Sequence, residues 1–118
     1  MPERKTAQQP EDLALMFVER AQSKDADGLT ELYEADAVLA YPPGRQTVGR
    51  DAIHAVMEQL ISAPVEFKPE EPLPTLRCGD LALTSTRPAD GTGGRVQVAR
   101  RQADGSWLRI IDRPELPS

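Results

Sequence analysis

The sequence predicts an α+β domain, with three helices in its first half and a run of antiparallel strands in its second. Three observations carry this. Up to about Ile61 the apolar residues recur at three- and four-residue spacings, the period of an amphipathic helix face. Beyond Val65 the runs are short and β-prone, and they alternate as half-buried strands do. The signals between them, Cys78-Gly79-Asp80, Pro88 to Gly94 and Asp104-Gly105, are hairpin turns. Helices grouped ahead of strands point to α+β rather than to an alternating parallel architecture.

The elements follow in order. Pro10 opens the first helix, with Glu11 and Asp12 near its positive end, and Leu13, Phe17 and Ala21, flanked by Met16 and Arg20, form its apolar stripe over about 10–23. Ser23-Lys24-Asp25 breaks it, and Asp25 or Asp27 caps a second short helix whose inner face is Leu29, Leu32 and Tyr33. Ala37 to Tyr41 reads as a strand, stopped by Pro42-Pro43-Gly44, with Gln46 to Val48 as the returning arm of a hairpin. Asp51 is a plausible cap for the third helix, which buries Ile53, Val56, Met57, Leu60 and Ile61 and ends at Pro64. A strand from Val65 to Lys68 meets Pro69, Pro72 and Pro74, so it must bend, lie on an edge or break before Leu73 to Arg77 resumes it. Leu81 to Arg87, Arg95 to Gln102 and Trp107 to Asp112 complete the sheet. Residues 1–9 read as a flexible N-terminus, 10–113 as the domain and 114–118 as a surface tail. Three helices of modest length cover one sheet face incompletely, which leaves a pocket or an interface.

A chain of 118 residues is the size of a single domain. With 39% hydrophobic and 28% charged residues it suits a soluble globular protein rather than a disordered one. A net charge of −5 supplies no basic field for nucleic acid or anionic lipid. Arg100, Arg101, Arg109 and Arg113 are expected on a solvated sheet face. Cys78 is the sole cysteine, so an intrachain disulfide is impossible and a reducing compartment fits. No apolar run nears the roughly 20 residues of a membrane span, and Met1 to Lys5 lacks a signal peptide's apolar segment. Cytoplasm is the expected location. One histidine and one cysteine, with no HxH or ExxH spacing, offer no metal set, and no Gly-rich phosphate loop or other cofactor motif is present.

Three stretches carry a family resemblance: Asp27-Gly-Leu-Thr-Glu-Leu-Tyr-Glu-Ala-Asp-Ala-Val-Leu39, Val48-Gly-Arg-Asp-Ala-Ile53 and Gly105-Ser-Trp-Leu-Arg-Ile-Ile-Asp112. In this order they resemble the SnoaL-like branch of the NTF2-like superfamily over about residues 10–113. The resemblance implies a strongly curved antiparallel sheet around a cone-shaped cavity, and a homodimer across the sheet's other face. It implies little about function, because the fold hosts isomerases, dehydratases, cyclases, epoxide hydrolases and non-catalytic domains. Ketosteroid isomerases of this superfamily need an aspartate base and a tyrosine plus a protonated aspartate as donors. Here Tyr41 falls at the base position, Phe17 at the donor tyrosine, and no acid lies near Val98. The resemblance therefore argues against that activity.

Two groups remain as candidates for acid–base chemistry. His54 shares a helix face with Met57 and Ile61, and a neutral imidazole titrates near neutrality; the plainer reading is a partly exposed helix histidine. Asp112 shares strand phase with Leu108 and Ile110, opposite Trp107, Arg109 and Ile111. If that phase faces the cone, Asp112 stands at its mouth with a raised pKa; otherwise it pairs with Arg113 or Arg100. Phe17, Tyr33, Tyr41 and Met57, with Leu108 and Ile110, are the expected cavity walls, or else simple core. Trp107, Arg109 and Ile111 are then free for a dimer interface. Two functions are open: binding of a small apolar oxygenated ligand, with lyase or isomerase chemistry that needs no cofactor, or a non-catalytic association module whose cavity its own side chains fill.

Overall fold

The structure, a computed structural model, describes residues 4–64, 66–89 and 93–114. Helix α1 (Asp12–Gln22) buries Leu13, Met16 and Ala21, with Phe17 half-buried beside them. Asp12 accepts a hydrogen bond from the Gln9 amide and so fixes the chain entering the helix. Helix α2 (Ala26–Thr30) is a single turn capped by Asp25, whose Oδ1 accepts from the Gly28 amide at 3.0 Å. Arg4 bonds the same carboxylate, and with the Gly28 amide it holds the Asp25 pKa below its ordinary value. Residues 4–9 are thus not a free N-terminus: Ala7 is buried and pairs with Trp107, and Arg4 also bonds Glu31.

Strand β1 (Tyr33–Leu39) starts earlier than the sequence predicts, and Tyr33 is its first residue rather than part of a helix. The hairpin to β2 (Thr47–Val48) runs through Pro42 to Arg45, and helix α3 (Arg50–Ser62) follows with Ile53 and Met57 buried. Gly49 begins α3 at φ +90° and ψ 155°, a region closed to residues with a Cβ, and its amide bonds the Ala37 carbonyl. Residues 66–70 form no strand, and Pro69 there has no amide hydrogen to give a ladder; Val65 lies outside the described residues. Two short edge pieces, β3 (Glu71–Pro72) and β4 (Leu76–Cys78), pair separately with β5 (Leu81–Arg87). Part of the predicted 88–94 loop, residues 90–92, is also outside the described residues, as are 115–118 of the predicted tail. β6 (Arg95–Arg101) and β7 (Trp107–Arg113) complete the sheet across a turn in which Gly105 has φ +87°.

The sheet order is β2-β1-β7-β6-β5-β3, with β4 also on β5. It is a curled, mixed sheet: β1 and β7 are parallel, and the other pairs are antiparallel. The parallel pair follows from topology, since the whole second half of the chain intervenes before β7 closes on β1. The helices cover the inner face. On the outer face, register aligns Val48, Val38, Ile111, Val98, Leu83 and Leu76 across successive strands. Leu76 is 64% exposed, Val48 58% and Ile111 49%. Among the described residues no helix is long and apolar enough to cross a membrane.

Strand β7 carries an irregularity in its pairing with β6. Val98 opposes Ile111, yet its neighbour Ala99 opposes Arg109, so Ile110 is an extra, unpaired residue. This β-bulge resets the alternation, and Trp107, Arg109 and Asp112 all face inward while Ile111 faces out.

Gly49 gives the fold a direct test. Gly49→Ala is expected to lower stability by about 1–3 kcal/mol, measured by urea denaturation, because the new side chain cannot adopt this backbone.

Candidate functional site

The bulge brings Arg109 and Asp112 onto one face, where the row of opposed residues Thr84, Gln97, Asp112 and Leu39 meets the row Ala82, Ala99, Arg109 and Tyr33. Arg109 is 4% exposed and Asp112 3%. Arg109 Nη1 lies 3.4 Å from Asp112 Oδ2, and the Tyr33 hydroxyl donates to that same oxygen at 2.5 Å. The guanidinium also lies over aromatic faces, 5.3 Å from the Phe17 centroid and 5.9 Å from that of Tyr33. Burial, then the charge of Asp112, pushes the Tyr33 pKa well above its ordinary value, so the phenol stays a donor. For Arg109 burial opposes the charge, but Asp112 and Tyr33 together outweigh it and the pKa is raised. Two atoms of this cluster, Arg109 Nε and Asp112 Oδ1, are buried without a hydrogen-bond partner.

The cluster lines a cavity of about 520 Å³ between α1, α3 and the inner sheet face. Phe17, Tyr41, Met57 and Leu60 supply apolar walls, and Gln97 adds an amide. Thr84 donates to Gln97 Oε1 at 3.0 Å, which fixes that amide. Farther along, Arg95 Nε bonds Glu70 while its Nη1 donates to the Pro114 carbonyl, so three segments meet beside the cavity.

The expected wall residues Phe17, Tyr33, Tyr41 and Met57 line this cavity. Leu108 and Ile110 do not: the bulge separates their phase from that of Asp112, and they lie on the other side of β7. Asp112 is buried rather than at an open mouth, and it pairs with Arg109 and Tyr33 instead of Arg113 or Arg100. Arg109 is in the interior, not on the solvated face; Arg100 instead bonds Glu34 on the outside. His54 lies outside the cavity, with Nε2 2.7 Å from Asp27 and Nδ1 3.2 Å from Glu58, tying α3 to α2 at the surface. Sequence reasoning missed Arg109 and Gln97. The one sign of the bulge was the adjacent pair Ile110-Ile111, which breaks the polar alternation. Among the described residues no cluster of three or more His, Cys, Asp or Glu side chains is arranged to hold a metal ion.

Residues 14–112 match the model of the SnoaL-like domain. The chain belongs to this family. Its curled sheet and helices make it NTF2-like, as solved structures of low identity also indicate for the fold. A ketosteroid isomerase-like protein from Erwinia carotovora atroseptica superposes with a TM-score of 0.71 at 21% identity, covering 87% of this chain and 89% of its own. An NTF2-like protein with a cystatin-like fold from Novosphingobium aromaticivorans gives 0.67 at 22%, covering 89% and 77%. A candidate dehydratase of the NTF2-like family from Streptomyces avermitilis gives 0.69 at 17%, covering 93% and 96%. No functionally curated protein matches the sequence significantly.

The buried pair of this SnoaL-like domain has a measurable signature. Arg109→Met is expected to destabilise the fold by about 3–5 kcal/mol, because it strands a buried Asp112 charge. Adding Asp112→Leu in the same chain should recover most of that loss, whereas His54→Ala should cost less than about 1 kcal/mol, as for an exposed pair. Chemical denaturation reads all three.

Proposed function

We propose that this SnoaL-like domain binds a small, largely apolar oxygenated molecule in its cavity and acts on it as a lyase or isomerase that needs no cofactor. One observation carries the reading: among the described residues Asp112 is the only buried acid, and it lines an apolar cavity together with Arg109 and Tyr33. A carboxylate beside a bound ligand can take a proton from a ligand carbon or hydroxyl. The Arg109 charge and the Tyr33 phenol stand beside it to stabilise charge that builds on a neighbouring ligand oxygen. The neighbours named as ketosteroid isomerase-like and as a dehydratase are in keeping with such proton transfer. The base differs, since Tyr41 stands where ketosteroid isomerases carry theirs. The alternative, an association module with a self-filled cavity, is less well supported, because Phe17, Tyr41 and Met57 wall the space without closing it.

The experiment is deuterium exchange at the carbon beside the carbonyl in a panel of small cyclic ketones, followed by NMR in heavy water. Catalysed exchange is expected for at least one ketone, lowered about 10²–10⁴-fold by Asp112→Asn. His54→Ala should leave it unchanged. Undiminished exchange in Asp112→Asn sinks the proposal.

We also propose that the domain pairs as a homodimer through the outer sheet face and works in the cytoplasm. The line from Val48 to Leu76 supports the first, as a contiguous exposed apolar patch, and the free, exposed Cys78 suits the second. Of the residues expected at that interface only Ile111 remains on it, because Trp107 and Arg109 are buried. Light scattering should give twice the 13.0 kDa chain mass, and Leu83→Glu should return it to one. A wild-type monomer at micromolar concentration rejects the dimer.

A further inference from the structure

We propose that residues 66–70 form a gate over the cavity, held shut by a latch at Glu70 and opened to admit the ligand. The gate presupposes the cavity as a ligand site, the reading above, and adds the way in.

The cavity wall is built unevenly. Helices α1 and α3 and the strands supply most of its lining, and their backbones are bonded into helix turns or ladders. Glu66, Phe67, Lys68, Pro69 and Glu70 line it too, in one unbroken run, yet belong to no helix or strand. Among the described residues no backbone-to-backbone hydrogen bond involves this run, and pairing with β5 resumes only at Glu71. Phe67 packs half-buried against the core, while Glu66, Lys68 and Pro69 around it are exposed. A single layer of chain therefore separates the cavity from water here. A segment so exposed and so poor in backbone bonds opens at lower cost than the helices and strands around it.

Side chains hold the segment down. Glu70 accepts from Thr86 Oγ1 at 2.8 Å and from Arg95 Nε at 2.9 Å, with its second oxygen 3.0 Å from the same nitrogen. Thr86 and Arg95 stand opposite each other on β5 and β6, so the latch is seated on the sheet. The Glu70 side chain is only 20% exposed, which leaves this pair less screened than a surface one. A second tie comes from the end of α1, where Gln22 Nε2 donates to the Phe67 carbonyl at 2.8 Å. Gln22 stands outside the cavity lining, so it acts on a ligand only through the segment it ties. The Lys68–Glu66 pair at 3.7 Å lies within the segment and moves with it.

Rapid mixing of the full chain with phenylnaphthylamine, a neutral apolar fluorophore, tests the gate. Because opening precedes entry, the observed association rate of the wild type should level off as fluorophore concentration rises. Glu70→Ala is expected to raise that limit at least about fivefold and Gln22→Ala about threefold, for the loss of a charge-assisted and a neutral hydrogen bond. Dissociation should quicken by the same factor and leave affinity within about twofold, since the ties act with the cavity full or empty. Arg87→Ala, which removes the exposed Arg87–Glu71 pair just beyond the segment, should change neither rate. Unchanged association in either variant overturns the gate and leaves the cavity reading standing. So does weaker binding carried by faster dissociation alone, the mark of a lost wall contact. Failure of the wild type to bind the fluorophore at all overturns both. Gln22 is an exposed helix position, so Gln22→Ala decides the matter even if Glu70→Ala does not fold.

Discussion

One extra residue in β7 governs the interior of this protein. A regular strand would point alternate residues inward, so Arg109 and Asp112, three positions apart, would face opposite sides. Ile110 stands unpaired between them, and the two charges turn to the same face. That face is the one the helices cover. The neighbouring parallel strand β1 then sets Tyr33 opposite Arg109 and Leu39 opposite Asp112. A phenol reaches the carboxylate, and an apolar side chain closes its flank.

Burying an ion pair this fully costs several kcal/mol for each ion, and attraction within the pair offsets that only with good geometry and further hydrogen bonds. The Arg109–Asp112 contact at 3.4 Å is long for a charge-assisted bond. Phe17 and Tyr33 help hold the guanidinium, and the Tyr33 hydroxyl satisfies one carboxylate oxygen. Two buried atoms still lack partners. A core selected for stability alone would have filled this position with apolar side chains. Phe17, Tyr41, Met57 and Leu60 wall an apolar space beside the pair. The outer face of the same sheet carries the exposed apolar side chains Val48, Leu76, Leu83 and Ile111.

Much of this was legible in the sequence. The stripes of α1 and α3 and the Asp104-Gly105 turn are local signals that match their elements, whereas the prolines signal an interrupted edge without placing it: Pro69 lies in an unpaired stretch and Pro72 in β3. Phe17, Tyr41 and Met57 could be placed near the cavity because helix period and the Pro42-Pro43 turn fix their direction. Tyr33 was placed in a helix because α2 is one turn long, and Leu32-Tyr33 suits a helix end as well as a strand start. The phase of β7 was illegible for a different reason. A bulge is fixed by pairing with β6 and β1, which lie far off in sequence, and counting by twos passes through it unaware. His54 fell on a helix face that α2 meets through Asp27, and a contact between helices has no local signature either.

The burial of Arg109 is the central claim, and its side-chain Nε–H resonance in a ¹⁵N-resolved NMR spectrum tests it most directly. The account predicts a sharp resonance, strongly protected from solvent exchange and displaced by ring currents from Phe17 and Tyr33, that disappears in Arg109→Lys. Rapid exchange of this resonance with water, at a chemical shift shared with the surface arginines, would contradict the inward turn of β7 and the site built on it.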